Sequence, residues 1–321
     1  VKNTTGNILI IFGATGDLAS RKIFPALNEI RKSNKIPENF HILGCGRKKV
    51  TNNVFNKLSN NLVDNAKYIK LDPHLESDYD LLNYNIEKFK KIYSTTNVIY
   101  YLSTPPNAYK PIVKSLIKKK LNIEKSGYRR IIIEKPFGKD LESSKNLNKI
   151  LINGFEEKQI FRIDHYLGKE TVQNILVSRF TNLIFSALWN KDYISYIEIT
   201  AAESIGIEGR GEYYDNTGAI KDMFQNHLLE LLCLVAMDEP QDNSSESIRN
   251  EKVNVLNKIR KINFQEDIIR GQYTASNTKT KEFVNYTDNK GVDKSSKTET
   301  FFASKLFIDN TRWKDIPFFI R

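Results

Sequence analysis

The sequence predicts an α/β architecture followed by an α+β one, and three observations carry that prediction. Short continuous apolar runs alternate with amphipathic segments through the first half of the chain. A glycine pair follows the first of those runs directly. Beyond about residue 165 the strand-like pieces instead place apolar residues on one face. Strands buried on both faces read as unbroken apolar runs, whereas strands with one wet face alternate.

In chain order, residues 8–12 form the first strand and end in a glycine loop, and a helix is expected over about 21–32. Further short strands follow at 41–44, 98–102 and 130–133. Parallel strands separated by helices and covered on both faces make residues 1–165 a doubly wound parallel sheet domain. In the remainder, 169–182 is expected as helix and 193–202 as a strand with Ile197, Ile199 and Ala201 on one face. Residues 217–237 are expected as one long helix with Ile220, Met223, Phe224, Leu231 and Val235 along a stripe. Segments 270–275, 281–286 and 299–309 are strand-like, and 241–246 and 278–298 are polar, turn-rich loops. Residues 166–321 are therefore expected to form an α+β domain with a mainly antiparallel sheet.

A chain of 321 residues suits two cores better than one. No apolar run approaches the roughly 20 residues that a membrane-spanning helix needs. The stretch 231–237 is bounded by Glu230 and Asp238, so no membrane partner is expected. The N-terminus, V-K-N-T-T-G, shows no charged-then-apolar leader and begins without Met, so the natural start is expected upstream. Cys45 and Cys233 stand far apart with no CxxC pairing, which suits reduced thiols in a cytoplasmic compartment. His41, His74, His165 and His227 never fall at metal-ligand spacing, so no metal is expected. The net charge of +11 would suit nucleic acid, an acidic surface or anionic small molecules. Its lysines sit in runs such as 31–35, 88–91 and 118–120, which read as solvated faces, and aromatics do not interleave with them. No nucleic-acid partner is expected.

Four segments carry candidate chemistry. The first is Gly13, Ala14, Thr15, Gly16, Asp17 and Leu18, directly after the first strand. Glycine there allows a sharp turn and close approach to a pyrophosphate at the next helix's positive end; the alternative is an ordinary strand-to-helix turn. This loop makes the first domain a Rossmann-type dinucleotide-binding one. The second strand ends in Gly44-Cys45-Gly46-Arg47-Lys48-Lys49, three cations where an NAD-binding chain usually places an acid. A guanidinium can grip a 2′-phosphate bidentately, so NADP is expected with Arg47 as its main ligand; the alternative is a solvated basic turn. Third, Ile133-Glu134-Lys135-Pro136-Phe137-Gly138 puts Lys135 at the carboxyl end of a strand, equally a site lysine or a surface lysine. The fourth and most informative segment is Arg162-Ile163-Asp164-His165-Tyr166-Leu167-Gly168-Lys169-Glu170. His165, Tyr166 and Lys169 at a helix start make a phosphate cradle. His227 projects from the apolar stripe of the long helix, where spacing alone favours a satisfied core histidine. A buried acid partner such as Asp164 weakens that reading.

R-I-D-H-Y-L-G-K-E at 162–170 resembles the diagnostic segment of glucose-6-phosphate dehydrogenases. Further blocks match in order: G-A-T-G-D-L at 13–18, P-P-N-A-Y at 105–109, E-K-P-F-G at 134–138 and G-R-G-E-Y-Y-D at 209–215. D-M-F-Q-N-H-L-L at 222–229 and R-W-K-D-I-P-F at 312–318 complete the set. The resemblance implies that residues 13–18, Arg47, Tyr109 and Lys135 bind NADP, with Lys135 also touching substrate. It implies that His165, Tyr166 and Lys169 hold the phosphate of glucose 6-phosphate and that Glu203 and Asp222 bond sugar hydroxyls. His227 would be the general base, oriented by Asp164, in an oxidation that gives 6-phosphogluconolactone. A homodimer or homotetramer is implied as well. The family continues past its F-x-x-R with a glycine-lysine stretch and well over a hundred further residues, so this sequence is expected to be C-terminally truncated.

The nearest rival is an NAD(P)-dependent oxidoreductase of an unphosphorylated sugar, against which the cluster His165, Tyr166 and Lys169 argues. A basic nucleic-acid-binding protein rests on charge alone. A non-catalytic relative is opposed by the retention of Asp164, Lys169, Asp222 and His227.

Overall fold

A computed structural model describes residues 6–37, 39–59, 66–138, 140–277 and 282–321. The chain divides into two compact units, Val1–Ile163 and Asp164–Arg321.

The first unit is built on six strands: β1 (Gly6–Phe12), β2 (Phe40–Gly46), β3 (Lys67–Lys70), β4 (Thr95–Leu102), β5 (Arg129–Ile133) and β6 (Ile160–Arg162). They lie in the order β3-β2-β1-β4-β5-β6, and every pairing is parallel. This is the strand order of a dinucleotide-binding sheet, whose order reverses beside β1. The unbroken apolar run of β1 now has a cause. Ile8, Ile10 and Phe12 join a core with Tyr79, Leu82, Ile112 and Leu116, from the helices Asp78–Tyr93 and Tyr109–Lys118. Leu9 and Ile11 point to the opposite face, with Ala19, Phe24 and Phe55. Successive side chains of a strand alternate between faces, so a sheet covered twice demands apolar residues at every position. Each fully buried side chain of this size contributes about 1.5–3 kcal/mol.

The second unit carries a four-stranded sheet, β7 (Ile197–Ile199), β8 (Ile268–Gly271), β11 (Phe301–Phe307) and β12 (Pro317–Ile320), in the order β7-β12-β11-β8. Two of its pairings are antiparallel and one, β12 with β7, is parallel. A separate two-residue ribbon pairs β9 (Ser276–Asn277) with β10 (Glu282–Phe283). One face of the larger sheet, through Phe302, Leu306, Phe318 and Ile320, packs on Phe224, Leu228 and Leu232 of the helical stretch 220–236. The Phe224 and Phe302 rings lie 4.5 Å apart. No helix of the described residues is long and apolar enough to cross a membrane.

Several expectations need correction. The strand expected over 193–202 is only Ile197–Ile199, because the chain before it turns back at Asn190, whose carbonyl accepts from the Tyr193 and Ile194 amides. The strand expected at 270–275 lies earlier, at Ile268–Gly271. Of 281–286 only Glu282–Phe283 is strand, residue 281 lying outside the described residues, as do 278–281 of the expected loop. The loop expected over 241–246 gives way at Ser245 to a helix that runs to Asn257, capped by the Ser244 hydroxyl, which accepts from the Ser247 amide at 3.1 Å. Strands β3 and β6, four and three residues long, are too short to stand out as runs.

Candidate functional site

The glycine loop after β1 is organised by backbone. Gly13 sits at φ +81°, where an L side chain costs roughly 1–2 kcal/mol, and an added Cβ would collide with the Ser103 carbonyl. Its amide and that of Ala14 donate to the Cys45 carbonyl at the end of β2, at 2.8 and 3.1 Å. The Gly16 amide returns to the Gly13 carbonyl at 2.8 Å and closes the turn. A π-helical turn, Ala19–Ile23, leads into the helix Phe24–Lys32. A helix beginning behind such a loop offers unpaired amides and a positive end to an anion. Asp17 is exposed and pairs with Arg21 at 2.7 Å. Gly46 is constrained more mildly: a Cβ there would crowd the Tyr68 hydroxyl and lie 3.6 Å from Thr15 Oγ1. Arg47, Lys48 and Lys49 follow it, all exposed.

The segment after β5 is anchored from two sides. Tyr101 donates to Glu134 Oε1 at 2.6 Å, and Tyr109, 1% exposed, donates to the Glu134 carbonyl at 3.0 Å. Burial first, then the Glu134 charge, pushes the Tyr109 phenol up. Its hydroxyl is thus committed to protein, a position that suits holding the Lys135 backbone. The Lys135–Pro136 bond is cis, and Lys135 is half-buried.

In the second unit, residues 164–169 form a tight turn into the helix Glu170–Thr181. Asp164 Oδ1 accepts the Tyr166 amide at 2.9 Å, which fixes the carboxylate on the turn's inner side. The same oxygen meets His227 Nδ1 at 2.5 Å, from 63 residues further along the chain. Burial raises the Asp164 carboxyl, but its bonds to His227 and to the Tyr166 amide outweigh that and hold it below the usual carboxylate range. Asp164 Oδ2 is buried without a hydrogen-bond partner. His227 is fully buried; the Tyr166 ring stacks on it at 4.2 Å and 11°, and His165 meets it edge-on at 4.6 Å. Lys169 Nζ lies 3.7 Å above the Tyr166 ring. The Tyr166 phenol is pushed up by burial and then by the charges of Glu203, Asp164 and Asp222, which places all three carboxylates about the turn.

The helix that bears His227 is unusual. Residues Ile220–Leu228 wind as a π-helix and Leu229–Ala236 as an α-helix. In an α-helix, residues five apart stand roughly 140° apart around the axis. Winding by i→i+5 bonds, at roughly 4.4 residues per turn, brings them within roughly 50°. That change sets Asp222 and His227 on adjoining faces. It also corrects the expected apolar stripe: beyond Phe224 the buried positions are His227, Leu228, Leu232, Cys233, Leu234 and Ala236, while Leu231 and Val235 are only partly covered. Both ends of the helix are held. Glu299 Oε1 accepts the Ile220 amide at 3.0 Å. At the other end, Arg179 donates to the Leu234 and Met237 carbonyls at 2.6 and 2.7 Å, and Trp189 and Trp313 donate to those of Val235 and Ala236, each at 2.8 Å. Four successive carbonyls that an α-helix leaves without partners are thereby satisfied by side chains.

The structure therefore brings Asp164, His165, Tyr166, Lys169, Glu203, Asp222 and His227 together within one unit. Gly13 to Leu18, Arg47, Tyr109 and Lys135 lie in the other unit. Sequence reasoning missed Tyr213, whose hydroxyl donates to Asp222 Oδ1 at 3.2 Å. Its block, 209–215, was matched without roles, and a tyrosine next to Tyr214 carries no spacing signal. The same block ends in Asp215, which accepts from the Tyr286 hydroxyl at 2.9 Å and from the Ser296 hydroxyl, tying residues 286–298 to the site's edge.

Comparison with known proteins agrees across the chain. Residues 10–174 match the family model described as glucose-6-phosphate dehydrogenase, NAD binding domain, and residues 176–321 the one described as its C-terminal domain. The chain is 41% identical to glucose-6-phosphate 1-dehydrogenase of Treponema pallidum, with 98% of this chain and 65% of that protein covered. It is 43% identical to that of Aggregatibacter actinomycetemcomitans, with 98% and 67% covered. It thus spans about two thirds of the length of these relatives. A solved structure, a glucose-6-phosphate dehydrogenase in complex with its substrate glucose-6-phosphate, superposes with a TM-score of 0.92 at 34% identity, covering 99% of this chain and 68% of that one.

Proposed function

Because the chain belongs to the glucose-6-phosphate dehydrogenase family, we propose that it oxidises glucose 6-phosphate at the anomeric carbon with NADP, giving 6-phosphogluconolactone. The observation that carries this reading is the 2.5 Å contact between Asp164 and His227 beside the turn that bears His165, Tyr166 and Lys169. The carboxylate holds Nδ1–H, which leaves Nε2 with the lone pair to take the proton of the anomeric hydroxyl. As the imidazolium forms, the ionised Asp164 stabilises it. Asp222, oriented by Tyr213, and Glu203 accept hydrogen bonds from ring hydroxyls. His165, Tyr166 and Lys169, at the start of the helix Glu170–Thr181, hold the phosphate and so position the reacting carbon.

The residues of the first unit fit a dinucleotide. Gly13 leaves the space that a side chain would fill, and Arg47 stands exposed at the end of β2. When bound, the nicotinamide supplies the acceptor for the hydride. Arg47, Lys48 and Lys49, in place of an acid, support NADP over NAD. Lys135 is assigned to cofactor and sugar, with Tyr109 holding its backbone.

Rates with glucose 6-phosphate and with glucose, each with NADP and NAD, test this directly. Turnover should require the phosphate, and Arg47→Ala should weaken NADP roughly 10- to 100-fold with NAD little changed, the loss of a charge-assisted pair of about 1.5–3 kcal/mol. Equal rates with glucose would sink the substrate, and equal losses for both cofactors would remove Arg47 from the 2′-phosphate.

A further inference from the structure

The sequence spacing that argues against a metal concerns neighbours along the chain, but donors also meet through space. One ligand atom each from Asp164, His165 and His227 lies within 4.8 Å of the others, and this is the one such group of three among the described residues. We infer that these three side chains form an inhibitory Zn2+ site.

Three features support it. Two imidazoles and a carboxylate are the donor set of open zinc sites, which keep a fourth position for solvent or ligand. Asp164 Oδ2, buried and without a hydrogen-bond partner, is an acceptor that a cation would satisfy. Asp164 Oδ1 meets His227 Nδ1 at 2.5 Å and the His165 and His227 rings lie 4.6 Å apart, so the carboxylate and both imidazoles already converge on one place. Donors to one zinc stand roughly 3.4 Å apart, so the wider separations close by up to roughly an ångström, while Asp164 and His227, now 2.5 Å apart, exchange their hydrogen bond for the metal and open by a similar amount. His165, the exposed member, provides that movement and the path of entry. The other soft donors do not compete. Cys45 and Cys233 are buried, with burial pushing the Cys233 thiol up to about 12, and His41 is buried in a stack with Tyr93. Mg2+, which prefers oxygen donors and octahedral geometry, does not suit the set.

Zinc held there occupies the proposed base and the phosphate-binding turn together, so it excludes glucose 6-phosphate; that consequence rests on the catalytic reading, whereas binding does not. Calorimetric titration of the whole protein with Zn2+, without cofactor or sugar, should show one saturable site. Co2+ should give the intense visible bands of a tetrahedral ion, and Mg2+ no binding. His165→Ala should weaken Zn2+ at least about tenfold, whereas His74→Ala, at an exposed turn, should leave it unchanged. Glucose 6-phosphate should weaken it in proportion to its occupancy. Absence of saturable binding, or equal affinity in His165→Ala and the parent, overturns the inference. Lack of turnover alongside intact zinc binding would count against the catalytic proposal alone.

Discussion

In the first unit the proposed cofactor site is shaped largely by backbone: a glycine turn whose Gly13 and Ala14 amides are tied to the Cys45 carbonyl at the end of β2, with exposed Arg47 beside it. In the second unit the site consists of side chains, carried by a turn at 164–169 and by a helix 63 residues later, and held in place by stacking and a 2.5 Å contact. A backbone site depends on φ and on the space left by missing Cβ atoms, and tolerates most changes around it. A side-chain site depends on particular atoms and on distant elements that bring them together. The two should therefore fail differently.

The largest effect belongs to the second unit. His227→Ala should lower kcat about 10²- to 10⁴-fold, the range for loss of a general base, while calorimetry shows glucose 6-phosphate still binding through the turn. Near-normal turnover would dissolve the contrast, since the side-chain cluster would then carry no chemistry. Gly13→Ala comes next. It should cost roughly 1–2 kcal/mol of stability from the positive φ, with a further loss in NADP affinity, and leave sugar-phosphate binding intact. If NADP affinity is unchanged, the glycine turn is merely a connection. The smallest effect is on acid stability. The Asp164 carboxyl lies below its unfolded value, so its contribution is present above about pH 4 and is lost as pH falls through the depressed folded value. Melting temperature against pH should fall less steeply below about pH 4 in Asp164→Asn than in the parent; parallel curves would mean that the bonds to His227 and Tyr166 contribute nothing there.

Legibility in sequence followed the same division. The first strand and its glycine turn could be located because a doubly covered strand must be apolar throughout and a chain at φ +81° selects glycine. Of the second unit, the turn at 164–169 was visible because its chemistry is packed into six residues. The capping of the 220–236 helix by Arg179, Trp189 and Trp313 was not, since those residues lie up to 77 positions from the carbonyls they satisfy. Nor was Tyr213, whose only distinction is what it touches.

By itself the sequence determined the alternation of buried strands and amphipathic helices, the positions where only glycine fits, and which residue types were on hand for proton and phosphate chemistry. These follow from local rules of period and backbone freedom. The pairing of Asp164 with His227, the π winding that turns Asp222 toward the same side, and the seating of Tyr109's hydroxyl on a carbonyl were decided by tertiary structure. Each depends on helices and turns brought close by burial of apolar faces, and apolar burial has no direction that a linear pattern records.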